Sequence, residues 1–88
     1  MESYGIVALR SRQQALVLES ALRREGIRAQ MISTPRDVAL GCGLSVLFPL
    51  EQQSLVRHVV AQVHPTNMVG IYRVDRQGGR THLTALSK

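Results

Sequence analysis

Cys42 is the only cysteine in this 88-residue chain, and its thiol is a candidate for covalent transfer chemistry. A thiol acts as nucleophile or carrier only as thiolate. Its ordinary pKa of about 8.5 falls when cations or a helix amino end stand close by. Cys42 lies between Gly41 and Gly43, which keep the sulfur accessible and let backbone amides turn toward it or toward a bound anion. Arg36 precedes it in the same segment. A short helix after Pro35 would oppose ionisation, because Cys42 would follow its negative end. The bland alternative is that Cys42 is a small buried apolar residue.

The other reactive side chains form no catalytic pattern. His58, His64 and His82 are the only imidazoles. His58 and His64 do not share a helical face, and His64 suits the role of a cation at a helix carboxyl end. Cys42 and His64 together supply too few ligands for zinc, so no metal is expected. There is no Ser-His-Asp arrangement, glycine-rich phosphate loop or carboxylate pair. Asp37 and Asp75 read as a cap and a surface charge. These absences speak against a hydrolase or kinase, and no cofactor is called for.

Composition sets the frame for that thiol. Apolar residues make up 44% and charged residues 19%, as in an ordinary globular domain. Aromatics are only 3%, so the core is aliphatic and a base-stacking platform is not expected. The net charge is +5 and almost wholly arginine, with Lys88 the only lysine. The arginines are spread along the chain, which reads as a solvated basic surface and not as a nucleic-acid footprint. One cysteine leaves no internal disulfide. No apolar run approaches the roughly 20 residues of a membrane span, and Met1-Glu2-Ser3-Tyr4 lacks signal-peptide character. The expectation is a cytoplasmic domain.

The elements that must position Cys42 follow from hydropathy. Residues 4–9 form a continuous apolar strand. Ser11-Arg12-Gln13-Gln14 reads as a reciprocal capping box, opening a helix over residues 11–25. Its apolar stripe is Ala15, Leu18 and Leu22, widened by Val17 and Ala21. Gly26 suits the left-handed position after the helix, with Ile27 folding back onto Leu22. Residues 27–33 read as a half-buried strand. Thr34-Pro35-Arg36-Asp37 resembles a helix start that Gly41-Cys42-Gly43 cuts short. A strand over 44–48 follows, then a helix over 51–64 with the stripe Leu55, Val56, Val59, Val60 and Val63. A further strand spans 68–74. Gln77-Gly78-Gly79-Arg80 is a turn, after which residues 81–86 either return as an edge strand or fray.

The order strand, helix, strand, strand, helix, strand matches the split βαβ of an α+β, ferredoxin-like fold. Four antiparallel strands would carry both helices on one face, with a possible short fifth edge strand. Residues 1–76 would form this domain, and residues 77–88 an edge strand or flexible tail. Strands 1 and 3 would be central, so three connections meet at one end of the sheet: 10–12, 33–43 and 64–67. That gathering places Cys42 near Arg10, Arg12 and the amino end of the first helix. RNA-recognition modules of similar order carry aromatics on strands 1 and 3. This chain offers only Tyr4 and Phe48 there.

The run from Thr34 to Phe48, with its Thr-Pro-Arg-acidic start and its Cys42-Gly43 step, resembles a family of small bacterial proteins described as selenium/sulfur carrier-like. A strand ending in Phe48, the Gly26-Ile27 step and Gly70-Ile71-Tyr72 add to the resemblance, which covers about residues 4–75. Ala39-Leu40-Gly41 stands where the family has a serine-rich stretch, and Leu47 where it has a basic residue. The resemblance implies that Cys42 carries sulfur or selenium, as a persulfide or selenium adduct, with Arg36 and Gly43 as motif residues.

Two readings follow. In one, the chain is a thiol carrier that takes a chalcogen from a donor enzyme and hands it to an acceptor. Arg10, Arg12, Arg36, Gly41 and Gly43 would then surround the sulfur. In the other it is an anion-binding or regulatory module in which Cys42 is incidental. Neither requires turnover chemistry of the chain's own. The apolar sheet face away from the helices suggests a homodimer.

Overall fold

The structure, a computed structural model, describes residues 2–34 and 43–87, and the side chains of 2–34 and 43–86. In chain order the elements are β1 (Glu2–Leu9), α1 (Arg12–Arg24), β2 (Gln30–Ser33), β3 (Leu44–Phe48), a 3-10 turn (Leu50–Gln52), α2 (Gln53–Val63), β4 (Met68–Gln77) and β5 (Arg80–Ser87). The strands form one five-stranded sheet in the order β2-β3-β1-β4-β5, with every neighbouring pair antiparallel. β1 is central, as its continuous apolar run requires: Ile6 to Leu9 are fully buried.

Both helices pack on one face. Ala15, Leu18, Ala21 and Leu22 of α1 and Val56, Val59 and Val60 of α2 share a single core with Val7, Leu9, Val46, Phe48 and Ile71 of the sheet. Each of the larger aliphatic side chains contributes about 1.5–3 kcal/mol by leaving water. Val17 and Leu55, expected in the helix stripes, are instead 52% and 37% exposed. Each sits one residue, about 100° of helical turn, from the buried Leu18 or Val56, just beyond the contact stripe.

α1 ends as its sequence requires. Gly26 takes φ 81°, the Ile27 amide donates to the Leu22 carbonyl at 3.1 Å, and the Gly26 amide donates to Arg23 at 3.0 Å. That double closure consumes Ile27, so β2 begins at Gln30 and not at residue 27. α2 ends at His64, whose φ of 54° is the left-handed turn that sends the chain into Pro65.

The opposite face carries Tyr4, Ile6 and Ala8 of β1, Ser45 and Leu47 of β3, and Tyr72 and Val74 of β4, by the pairing register. Its centre is not open: Ile6, Ala8, Ser45 and Val74 are fully buried within the single chain. Residues 80–87 are a strand paired along β4 through a two-residue turn at Gly78-Gly79. No helix among the described residues is long and apolar enough to cross a membrane.

Candidate functional site

The register Leu9↔Leu44, Ser33↔Leu44 and Leu9↔Met68 brings the end of β1, the end of β2 and the starts of β3 and β4 to one end of the sheet. Three connections meet there, held by specific bonds. The Arg10 amide donates to the Asn67 carbonyl at 2.9 Å. Gln14 accepts from the Asn67 amide at 2.9 Å and donates to Thr66 Oγ1 at 2.8 Å. Half of the expected capping box therefore forms: Ser11 Oγ accepts from the Gln14 amide at 3.2 Å. The Gln14 side chain does not return to Ser11, because it clamps the loop after α2 against the start of α1.

The second connection is gripped at its base. The Thr34 amide donates to the Gly43 carbonyl at 3.3 Å. Thr34 Oγ1 and Ser45 Oγ are hydrogen-bonded at 2.7 Å, and Ser45 is fully buried. That pair answers the polar demand of Ser45 inside an aliphatic sheet. It also ties the last residue before the segment to the strand that follows it. Cys42, Arg36 and Gly41 lie outside the described residues, as does the short helical turn expected after Thr34.

Of the expected site residues, Arg10, Arg12 and Gly43 are described. Gly43 directly precedes Leu44, whose partner Leu9 directly precedes Arg10, so both lie one residue beyond the last pair of the β1–β3 ladder. All three residues are exposed. Gly43 is not in the left-handed region, and a Cβ there would meet nothing within 4 Å among the described residues. The backbone nest expected of the glycine pair therefore has no left-handed member at Gly43. Arg12 is the first residue of α1, whose first turn holds no acidic side chain, so its positive end is not neutralised from within the helix. A groove of about 450 Å³ runs alongside, lined by Ser11, Gln14, Val17, Val63, His64 and Asn67 among others.

Among the described residues no group of three or more His, Cys, Asp or Glu is placed to hold a metal. A separate polar cluster lies on the helix side of β1 and β4. Ser3 Oγ donates to Asp75 Oδ1 at 2.5 Å, and Arg73 Nε reaches both carboxylate oxygens at 3.2 Å. The Ser3 hydrogen bond, and then Arg73, hold the Asp75 pKa below its usual 3.8. From sequence alone Asp75 reads as a plain surface charge. Its partner Ser3 is distant in the chain, and only the β1–β4 register reveals the pair.

Fold and site thus define a small α+β protein: a five-stranded antiparallel sheet, two helices on one face, and a cysteine-bearing segment rooted where three connections converge. The chain belongs to the family described as "Putative Se/S carrier protein-like", whose model matches residues 4–73. Comparison with curated proteins and with solved structures finds no match.

Proposed function

We propose that this chain is a sulfur or selenium carrier that holds the chalcogen on Cys42. The observation that supports the reading is the β1–β3 register: its last pair is Leu9↔Leu44, and Arg10, which leads into the uncompensated amino end of α1, and Gly43, bonded to Cys42, each lie one residue beyond it. We read β1 to β4 and the two helices as a ferredoxin-like unit extended by β5.

The Cys42 thiolate attacks the outer sulfur of a donor enzyme's cysteine persulfide. The Cys42–sulfur bond forms as the donor's S–S bond breaks, and the donor cysteine leaves as thiolate, taking up the proton Cys42 lost. Neutral sulfur moves, so no external oxidant or reductant takes part. The acceptor enzyme's nucleophile removes it by the reverse chemistry, and selenium follows the same route. Arg10, Arg12 and Arg36 stabilise the thiolate and the persulfide anion, Gly41 and Gly43 leave room for a partner's sulfur, and the chain performs no turnover of its own.

The test is the rate of Cys42 alkylation by iodoacetamide across pH. The reading expects a thiol pKa below about 8.5. It expects Arg10→Gln with Arg12→Gln to raise that pKa by about half a unit to one unit, since a helix end or nearby cation contributes about 0.3–1 kcal/mol. A pKa at or above the ordinary value refutes an activated thiolate. The second reading, an anion-binding module, is favoured by the exposure of Arg10 and Arg12 and the lack of an acid in the first turn of α1. Melting temperatures unmoved by phosphate, sulfate and nucleotides would discard it.

A further inference from the structure

The sheet has two edges, and the chain treats them differently. The β2 edge is partly covered by side chains, at Met31 and at the two residues that lead into the strand, Arg28 and Ala29. Glu19 Oε2 accepts from the Met31 amide at 3.1 Å, and Arg23 Nε donates to the Ala29 carbonyl at 3.1 Å. Gln52 Oε1 takes the Arg28 amide at 3.1 Å. Such blunting is how natural sheets avoid pairing edge to edge. The β5 edge has no comparable cover among the described residues. Arg57 donates to the Leu86 carbonyl, at the point where the β4–β5 register shifts, and so closes only the end of the strand. From Thr81 to Ala85 the edge carries no lysine, arginine, acid or proline.

The hairpin geometry says which backbone groups face outward. Gly78 and Gly79, at φ 57° and 80°, form a two-residue turn that closes on the hydrogen-bonded pair Gln77↔Arg80. Antiparallel alternation then directs the amides and carbonyls of Arg80, His82 and Thr84 to β4 and those of Thr81, Leu83 and Ala85 away from it. This outward set is symmetric about Leu83, so it complements an antiparallel copy of itself.

We propose that the outer edge of β5 pairs with the β5 edge of a second copy of this chain, antiparallel about a twofold axis at Leu83, joining two sheets into one. Leu83 faces Leu83 of the copy, and Thr81 faces Ala85. These side chains stand on the face away from the helices, where half-buried Leu83 already adjoins Val74. The interface is isologous and closes on itself. It is a single strand pair between molecules of net charge +5, so the dimer is weak, with a Kd that falls as salt rises. The self-association expected through the open sheet face is thereby assigned to the β5 edge instead.

Sedimentation equilibrium over a range of concentrations tests the assignment. The expected result is a mass rising from 9.7 kDa toward twice that value. Leu83→Lys and Ala85→Lys should each remain monomeric with unchanged circular dichroism, and Cys42→Ser should dimerise like the parent. Ala85 is exposed, so its variant decides the matter if Leu83→Lys does not fold. Amide exchange at Leu83 should slow as concentration rises. A parent that stays monomeric, a dimer that survives Ala85→Lys, or Leu83 exchange independent of concentration overturns the proposal. None of these outcomes bears on the chemistry of Cys42.

Discussion

Replacing Gly5 by alanine should unlock the β1–β3 register on which the site depends. Gly5 pairs with Phe48, and the Phe48 ring lies across the space a side chain would take. A Cβ on Gly5 would overlap Phe48 Cζ and Cε2 and stand 2.8 Å from Cε1, whereas real Cβ contacts essentially never fall below 3.0 Å. The ring cannot swing out freely, because Phe48 is fully buried among Val7, Val46 and Leu22 of the same core. The backbone cannot yield cheaply either, since β1 is paired on both sides. Overpacking of this kind costs about 1–3 kcal/mol, and alanine recovers about 0.5–1 kcal/mol of strand propensity. A net loss of about 1 kcal/mol lowers the melting temperature by about 4–8 °C for a domain of this size. Thermal melts of Gly5→Ala, Phe48→Leu and the double variant provide the assay. Leucine removes the ring, so the second substitution should absorb most of the first, with a coupling of about 1 kcal/mol. A Gly5→Ala protein melting within about 2 °C of the parent, or strictly additive variants, would refute the reasoning.

Other outcomes follow from single contacts. Thr34→Val leaves the buried Ser45 hydroxyl without its partner and should cost about 1–3 kcal/mol in chemical denaturation, while Thr34→Val with Ser45→Ala should recover much of the loss. Gln14→Leu cannot hold the loop after α2, so the Asn67 amide should exchange faster with solvent while amides in the centre of the sheet keep their protection. Asp75 has a depressed pKa in the folded chain, so its share of stability is present above the unfolded carboxylate value and lost as pH falls through the folded one. A carbon NMR titration should place its midpoint below 3.8, and Ser3→Ala should move it upward.

The framework was legible because each element declared itself locally. Ser11 as cap, Gly26 as the left-handed stop and the unbroken apolar run of β1 need nothing beyond their neighbours in sequence. The meeting of three connections at one end followed from element order alone, and the bonds from Gln14 to Thr66 and Asn67 hold it together. What stayed hidden depends on distant partners. Gln14 reads as a capping residue until the loop after α2 arrives beside it. Ser45 reads as a lone polar residue in a strand until Thr34 is brought against it. Val17 and Leu55 read as core because a hydropathy stripe does not show where the neighbouring helix and sheet stop. The start of β2 reads as residue 27 because hydropathy does not show that Ile27 serves the helix end before it can serve a strand. Cys42, Arg36 and Gly41 lie outside the described residues, so the structure frames their segment at Thr34 and Gly43 without describing the thiol.

The most direct test of the account is intact-mass spectrometry of the chain after incubation with a cysteine desulfurase and free cysteine. The account predicts a gain of one sulfur atom, reversed by mild reduction and absent from Cys42→Ser. A parent mass that does not change, or a gain that persists in Cys42→Ser, would contradict it.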